Sequence, residues 1–150
     1  MQKLLIIGYG DIGTRTAALL SHRYRIYGLT RSAASAEGAR AQGVTPVPGD
    51  LDQPATLGRL GGLADVVLHF APPQRQGQHD LRTRNLLAAL ARGEILPQRL
   101  VYISTTGVYG DCHGEEVDET HRTQPPTARA VRRADADASS RSWGRRLGIL

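Results

Sequence analysis

Three closely spaced glycines, Gly8, Gly10 and Gly13, form a G-x-G-x-x-G turn and constrain the fold more than any other feature. The turn directly follows Lys3–Ile7, an apolar run that predicts a strand buried on both faces. It opens Asp11–Arg23, where apolar residues recur at helical spacing. In this context the first glycine permits the tight turn, the second lets a ligand approach the backbone, and the third lets helix and strand pack closely. A tight turn without ligand is the alternative.

The start of that helix predicts an anion-binding site. The N–H groups around Asp11 and Ile12 have no partner within the helix, and the helix dipole is positive at this end. We therefore predict that the turn and the helix start hold the pyrophosphate of a nicotinamide cofactor.

The rest of the chain alternates between strand and helix patterns. Further strands are predicted at Arg25–Leu29, Val44–Pro48, Ala64–Phe70 and Arg99–Ser104. Helices are predicted at Ala33–Gln42, Pro54–Leu60, Asp80–Arg92 and Thr127–Leu147, with a loop over Thr105–Pro126. This alternation indicates a parallel sheet with right-handed crossovers. The expected fold class is α/β, a Rossmann-type doubly wound sheet with five strands in the order 3-2-1-4-5.

The length of 150 residues predicts a single domain. With the glycine turn, we expect residues 1–150 to form one NAD(P)-binding Rossmann domain. The last residues, 148–150, favour a turn into a sixth strand. We therefore expect a truncated chain, missing a C-terminal substrate-binding part; a frayed tail is the alternative.

Composition excludes several classes of protein. The one cysteine, Cys112, cannot form an internal disulfide, and no signal peptide or membrane-spanning run is present. The net charge of +5 comes from scattered arginines, which favour solvated helix faces over nucleic-acid binding. Alternating Asp111, His113 and Glu115 favour a solvated polar loop over a metal site. We expect a cytoplasmic protein with no metal, nucleic-acid or membrane partner.

The end of the second strand indicates which cofactor binds. NAD sites usually carry an acidic residue about twenty residues after the glycines. Here the chain has Thr30, Arg31 and Ser32, with no acid before Glu37. A guanidinium and hydroxyls suit a 2′-phosphate, so NADP is favoured over NAD. The alternative is that Arg31 merely starts the next helix.

Four stretches together resemble one family: GYGDIG, GDL at Gly49–Leu51, HFAPP at His69–Pro73, and YISTTGVYG at Tyr102–Gly110. The chain resembles the extended and atypical short-chain dehydrogenase/reductase superfamily, in its NAD-dependent epimerase/dehydratase branch. The resemblance implies that Asp50 and Leu51 flank the adenine ring. It also implies that Ala71 and Pro72 line the nicotinamide-side ribose.

The resemblance also implies a catalytic hydroxyl at Thr105. A strand end that satisfies its own backbone groups is the alternative for residues 104–106. We expect His69 to pack at the end of its strand; the alternative is that it carries a proton. Tyr109 belongs to the Val-Tyr-Gly motif and is expected to pack in the loop; the alternative is that it acts as a catalytic tyrosine from the opposite side of the cleft.

The chain departs from the family on the last helix. Members carry a Tyr-x-x-x-Lys pair there, whereas every tyrosine here lies at or before Tyr109 and the single lysine is Lys3. Alignment on Asp137 places Arg129 and Arg133 in the two positions. Arg133 could clamp ribose or phosphate, but Arg129 is a poor proton shuttle because arginine stays protonated.

Two functions therefore remain open. The first is an NADP-dependent oxidoreductase or epimerase-like enzyme acting on a small-molecule substrate. The second is a non-catalytic dinucleotide-binding redox sensor or partner-binding module. The resemblance alone suggests a homodimer.

Overall fold

The structure is a computed structural model and describes residues 1–147. Strands β1 to β5 occupy Gln2–Ile7, Tyr24–Thr30, Thr45–Pro48, Val66–His69 and Arg99–Tyr102. Helices α1 to α4 occupy Asp11–Leu20, Ala33–Ala41, Leu81–Leu90 and Ala128–Leu147. Two 3₁₀ helices occupy Pro54–Leu60 and Thr106–Val108. No helix of the described part is long and apolar enough to cross a membrane.

The strands form one sheet in the order β3-β2-β1-β4-β5, with every neighbouring pair parallel. The predicted Rossmann-type architecture is therefore confirmed. The sixth strand predicted to begin at residues 148–150 lies outside the described residues.

The central strand β1 is buried on both faces, as its continuous apolar run predicted. Leu4 and Ile6 lie in the hydrophobic cluster that includes residues of α1 and α2. Leu5 and Ile7 lie in the opposite cluster, with residues of α3 and α4. All four side chains are at most 1% exposed. Because successive strand residues point to opposite faces, this one run anchors both helical layers.

Several elements are shorter than predicted. The first helix was predicted to reach Arg23 but ends at Leu20, where the Arg23 N–H donates to the Leu20 carbonyl in a turn that leads into β2. The fourth strand was predicted over Ala64–Phe70 but covers only Val66–His69.

The fifth strand was predicted to reach Ser104 but ends at Tyr102. The regular ladder ends here, but single hydrogen bonds between the strands continue beyond it. The Ile103 N–H donates to the His69 carbonyl at 3.1 Å, and the Phe70 N–H donates to the Ile7 carbonyl at 2.7 Å. The apolar composition of the chain alone could not show where the regular ladder between the strands ends.

Candidate cofactor-binding cleft

A cleft of about 790 Å³ opens along the carboxyl ends of the strands. This edge of a parallel α/β sheet is where such folds bind ligands. Twelve of the predicted cofactor-binding residues line it: Gly8, Gly10, Asp11, Ile12, Thr30, Arg31, Ser32, Asp50, Leu51, Ala71, Pro72 and Arg133. The structure therefore brings together segments predicted separately along the chain.

The glycine turn forms the floor of the cleft. Gly8 has φ of +88°, and a Cβ atom there would lie 2.4 Å from the Ala71 backbone nitrogen. A Cβ at Gly10 would meet nothing within 4 Å. Gly8 is therefore required by the fold itself, whereas the open space at Gly10 is a cradle that a bound group can fill.

Gly13 lies outside the cleft and acts through packing. A Cβ there would approach the Gly8 carbonyl oxygen to 3.0 Å and the Ile6 side chain to 3.2 Å. This close packing is the role predicted for the third glycine, and it holds α1 against β1.

The start of α1 presents backbone donors to the cleft. Gly10 is the N-cap residue, and no side chain caps this helix. The first helical bond runs from the Thr14 N–H to the Gly10 carbonyl. The Gly10 N–H donates to the Gly8 carbonyl at 2.9 Å, so the N–H groups of Asp11 and Ile12 are the ones left for a ligand. A helix N-terminus favours an anion. Asp11 extends outward and pairs with Arg15 at 3.1 Å.

A second helix start borders the cleft beside Arg31. Ser32 caps α2, and its hydroxyl oxygen accepts from the Ser35 N–H at 3.2 Å. Arg31 and Ser35 line the cleft together with Ser32. The Arg31 guanidinium thus lies at the positive end of α2, which suits a phosphate. The Ser32 hydroxyl donates to Ser35 Oγ at 3.1 Å, and the Ser35 hydroxyl donates to the Ser32 carbonyl at 2.9 Å. Sequence reasoning found Arg31 and Ser32 but missed Ser35.

An ion pair closes one side of the cleft. Arg82 of α3 holds the Asp52 carboxylate through Nε at 2.7 Å and Nη2 at 2.6 Å, and its Nη1 donates to the Pro72 carbonyl at 3.2 Å. The hydrogen bond from Arg82 lowers the Asp52 pKa and the same bond raises the Arg82 pKa. The pair therefore stays charged at neutral pH and ties the segment after β3 to α3. Sequence reasoning missed Arg82, since its partner is thirty residues away.

Arg133 of α4 lines the other end of the cleft. It is 8% exposed, and its Nη1 donates to the Ile103 carbonyl at 2.8 Å and to the Tyr102 hydroxyl at 3.3 Å. Ala71 and Pro72 lie at the same cleft. A fixed guanidinium is therefore available to a ligand at the position where the resemblance expects the nicotinamide half.

Behind this end of the cleft lies a buried polar chain. Asp80, at the start of α3, accepts from the Thr83 hydroxyl at 2.8 Å, and Thr83 Oγ1 lies 2.8 Å from His69 Nε2. Because the Thr83 hydrogen is directed to Asp80, we assign the His69 proton to Nε2. Burial, together with the charge of Arg133, lowers the His69 pKa to about 4. The ring is 0% exposed and does not line the cleft, which favours the packed role over the proton carrier.

Thr105 does not line the cofactor cleft. It lies in a separate cavity of about 680 Å³ between the loop after β5 and α4. Its Oγ1 accepts from the Gly107 N–H at 3.3 Å, which caps the short 3₁₀ helix. That contact is the backbone-satisfying alternative for residues 104–106, and the catalytic assignment stays a prediction. Arg129 is exposed and lies outside the cleft.

Sequence reasoning missed six residues of the cleft: Tyr9, Leu29, Ser35, Phe70, Arg82 and Ile103. Tyr9, Leu29 and Phe70 directly adjoin predicted cleft residues along the chain, so widening each motif by one position would have found them. Ile103 lies within the Tyr102–Gly110 motif, two positions before Thr105. Ser35 follows from the Ser-x-x-Ser spacing of a helix cap, whereas Arg82 has no local signal.

The strand order and the position of the cleft define an α/β protein of the Rossmann type. Residues 4–145 match the model of the NAD dependent epimerase/dehydratase family. The chain belongs to this family, which confirms the resemblance found in its motifs.

Relatives of known name cover the chain almost completely. It is 26% identical over 170 residues to a dTDP-glucose 4,6-dehydratase of Mycolicibacterium smegmatis, spanning 99% of this chain and 50% of the relative. A candidate epimerase from Burkholderia cenocepacia J2315 is 25% identical with a TM-score of 0.82, covering 97% of this chain and 51% of that one. The chain therefore spans about half the length of these relatives.

A third relative shares the fold at lower identity. UDP-glucuronic acid 4-epimerase from Bacillus cereus, solved in complex with NAD, is 21% identical with a TM-score of 0.76. The match covers 98% of this chain and 54% of the epimerase. At this identity the likeness shows the fold.

Proposed function

We propose that this chain is the cofactor-binding part of an NAD(P)-dependent oxidoreductase or epimerase that acts on a small-molecule substrate, with NADP as its cofactor. The observation that carries the proposal is the glycine turn, where an open cradle at Gly10 meets the uncapped start of α1. Backbone donors and a positive helix end suit a pyrophosphate, so the residues fit a dinucleotide.

In this proposal each part of the cofactor is assigned to residues of the cleft. Gly10 and the start of α1 would hold the pyrophosphate. Asp50 and Leu51 would lie beside the adenine, and Ala71 and Pro72 beside the nicotinamide-side ribose. When bound, the nicotinamide ring supplies a hydride acceptor or donor, while the chain's own residues bind and orient it.

The preference for NADP rests on Arg31 and the start of α2. The charged group that lines the cleft there is the Arg31 guanidinium, whereas NAD sites usually place an acid on the ribose hydroxyl. An acid would repel the 2′-phosphate of NADP, whereas Arg31 can pair with it. NAD, which the B. cereus epimerase binds, remains the alternative cofactor.

Removing Arg31 tests this preference. We expect Arg31→Ala to weaken NADPH binding about 10- to 100-fold, because hydrogen bonds to a charged group contribute about 1.5–3 kcal/mol. NADH binding should change little. Isothermal titration of both cofactors, on wild type and variant, measures this directly.

Arg23→Ala is a matched control, because Arg23 is an exposed arginine outside the cleft. Equal loss of both cofactors in Arg31→Ala, or a wild-type preference for NADH, would contradict the 2′-phosphate assignment. It would leave the dinucleotide site itself standing.

A second candidate function is a non-catalytic dinucleotide-binding module. Two observations favour it. Arg129, which the alignment places at the position of the family's catalytic tyrosine, is exposed and lies outside the cleft. Thr105 lies in another cavity. Hydride exchange between NADPH and a carbonyl substrate would support the enzyme. Cofactor binding without turnover on any carbonyl or nucleotide-sugar substrate would favour the module.

A further inference from the structure

Two hydrogen bonds and a contact with an aromatic ring hold the Arg133 guanidinium in place. Both hydrogens of Nη1 are directed to protein oxygens, the Ile103 carbonyl at 2.8 Å and the Tyr102 hydroxyl at 3.3 Å. The guanidinium carbon also lies 5.9 Å from the centre of the Tyr102 ring. One side of the Arg133 guanidinium is therefore held by the last residue of β5, Tyr102, and by the residue after it, Ile103.

The remaining donors of Arg133 are Nε–H and the two hydrogens of Nη2. Within the described residues they have no hydrogen-bond acceptor, although the side chain is 8% exposed and lines the cleft. Side by side, Nε and Nη2 form a fork that binds two oxygen atoms of one group.

Tyr102 is itself held in place by a contact with His69 on the neighbouring strand. It pairs in register with His69 on β4, and the two ring centres lie 5.3 Å apart. His69 is fixed in turn by its contact with Thr83, which Asp80 orients. Burial raises the pKa of Tyr102, so the phenol stays neutral and its oxygen accepts from Arg133 at neutral pH.

We propose that Tyr102 is a positioning residue that holds the Arg133 guanidinium so that its Nε–Nη2 edge binds paired oxygen atoms in the nicotinamide half of the cofactor. The inference rests on the proposed function, because it assumes that the cleft binds NADPH. The paired oxygens are either the hydroxyls of the nicotinamide-side ribose or the oxygens of the phosphate attached to it.

A double-mutant cycle on cofactor affinity tests the coupling of the two residues. We expect Arg133→Met to weaken NADPH binding about tenfold or more, and Tyr102→Phe about three- to tenfold, as for single hydrogen bonds to a charged group. In the Arg133→Met background, Tyr102→Phe should have no further effect, because a positioning residue acts only through the group it positions. Arg133→Lys should recover part of the affinity.

Shorter probes distinguish the two sources of oxygen. Binding of 2′,5′-ADP, which lacks the nicotinamide half, should be unchanged in every variant. Weaker binding of adenosine 2′-phosphate 5′-diphosphate by Arg133→Met would assign the contact to the phosphate, and unchanged binding would assign it to the ribose. Either result supports the proposal.

Additive losses from the two substitutions, or full affinity in Tyr102→Phe, would overturn the proposal. So would loss of 2′,5′-ADP binding in Arg133→Met. Tyr27→Phe, another partly buried tyrosine in a strand of the same sheet, is the matched control.

A measurement on the wild type covers the case in which Tyr102→Phe does not fold. The Arg133 Nε–H resonance should be in slow exchange with water and should shift when NADPH is added. Fast exchange and no shift would overturn the proposal. If wild type binds neither NADPH nor 2′,5′-ADP, the proposed function fails instead.

Discussion

Gly8 and Gly10 have different roles although they are two residues apart. Gly8 combines a positive φ with backbone contact, so any side chain there strains the turn. Gly10 has neither constraint in the protein alone. A glycine that the fold does not require, at the centre of a cleft, is best explained by a ligand that must approach its backbone.

The buried side chain of His69 makes the stability of the fold depend on pH. Burial lowers its pKa to about 4, from 6.5 when exposed, so the folded protein resists protonation more than the unfolded chain. Stability from this residue is therefore complete above pH 6.5 and is lost as the pH falls towards 4.

We expect the free energy of unfolding to fall by about 2 kcal/mol between pH 6.5 and pH 5 on account of His69, at about 1.4 kcal/mol per pH unit. Urea unfolding of wild type and His69→Gln at both values measures it, and the variant should lose most of this dependence. His22→Gln, at an exposed position, should retain it. The same pH dependence in wild type and His69→Gln would show that another group is responsible.

At the scale of elements, α4 is fastened to the loop that follows β4. The Asp135 carboxylate of α4 accepts from the Asp80 N–H at 2.9 Å, from Arg84 at 2.9 Å, and lies 3.0 Å from His79 Nδ1. Burial alone would raise the Asp135 pKa, but the bonds from His79, Asp80 and Arg84 lower it. One carboxylate thus holds α4 in the position from which Arg133 reaches the cleft.

We expect Asp135→Asn to lower the free energy of unfolding at pH 7 by about 1–3 kcal/mol, because it weakens charge-assisted bonds at a partly buried site. A lowered carboxyl pKa contributes stability above its unfolded value, 3.8, and loses it as the pH falls through the folded value. The difference between wild type and variant should therefore be constant above pH 3.8 and shrink only as the pH falls below that value.

Asp137→Asn is the control for that measurement, since Asp137 is a partly buried aspartate whose i,i+4 pair with Arg141 stays within the same helix. Such pairs contribute only about 0.3–0.5 kcal/mol. Equal effects of the two substitutions in urea unfolding would refute the fastening role of Asp135.

At the scale of the molecule, the cleft exists because five parallel strands end at one edge. The sequence was sufficient to predict the strand order, because alternating strand and helix patterns leave few topologies open. It was also sufficient to predict cleft-lining residues between Gly8 and Ser32, because local motifs identify them. These predictions needed only short-range patterns.

Long-range contacts could not be predicted. Nothing near Arg82 indicates that it pairs with Asp52, and nothing near Tyr102 indicates that Arg133 will lie beside it. The resemblance implied a catalytic role for Thr105, yet β5 ends at Tyr102 and Thr105 lines another cavity. These positions depend on packing between distant segments rather than on residue type.

The central claim is that the open cradle at Gly10 receives a dinucleotide pyrophosphate, and the NADPH affinity of Gly10→Ala tests it most directly. A methyl group meets no protein atom there, so the free energy of unfolding should stay within about 0.5 kcal/mol of wild type. NADPH binding by isothermal titration should weaken about 10- to 100-fold, the effect of crowding a closely packed contact by about 1–3 kcal/mol. Unchanged NADPH affinity in a stably folded Gly10→Ala, or no binding of NADPH or NADH by wild type, would contradict the account.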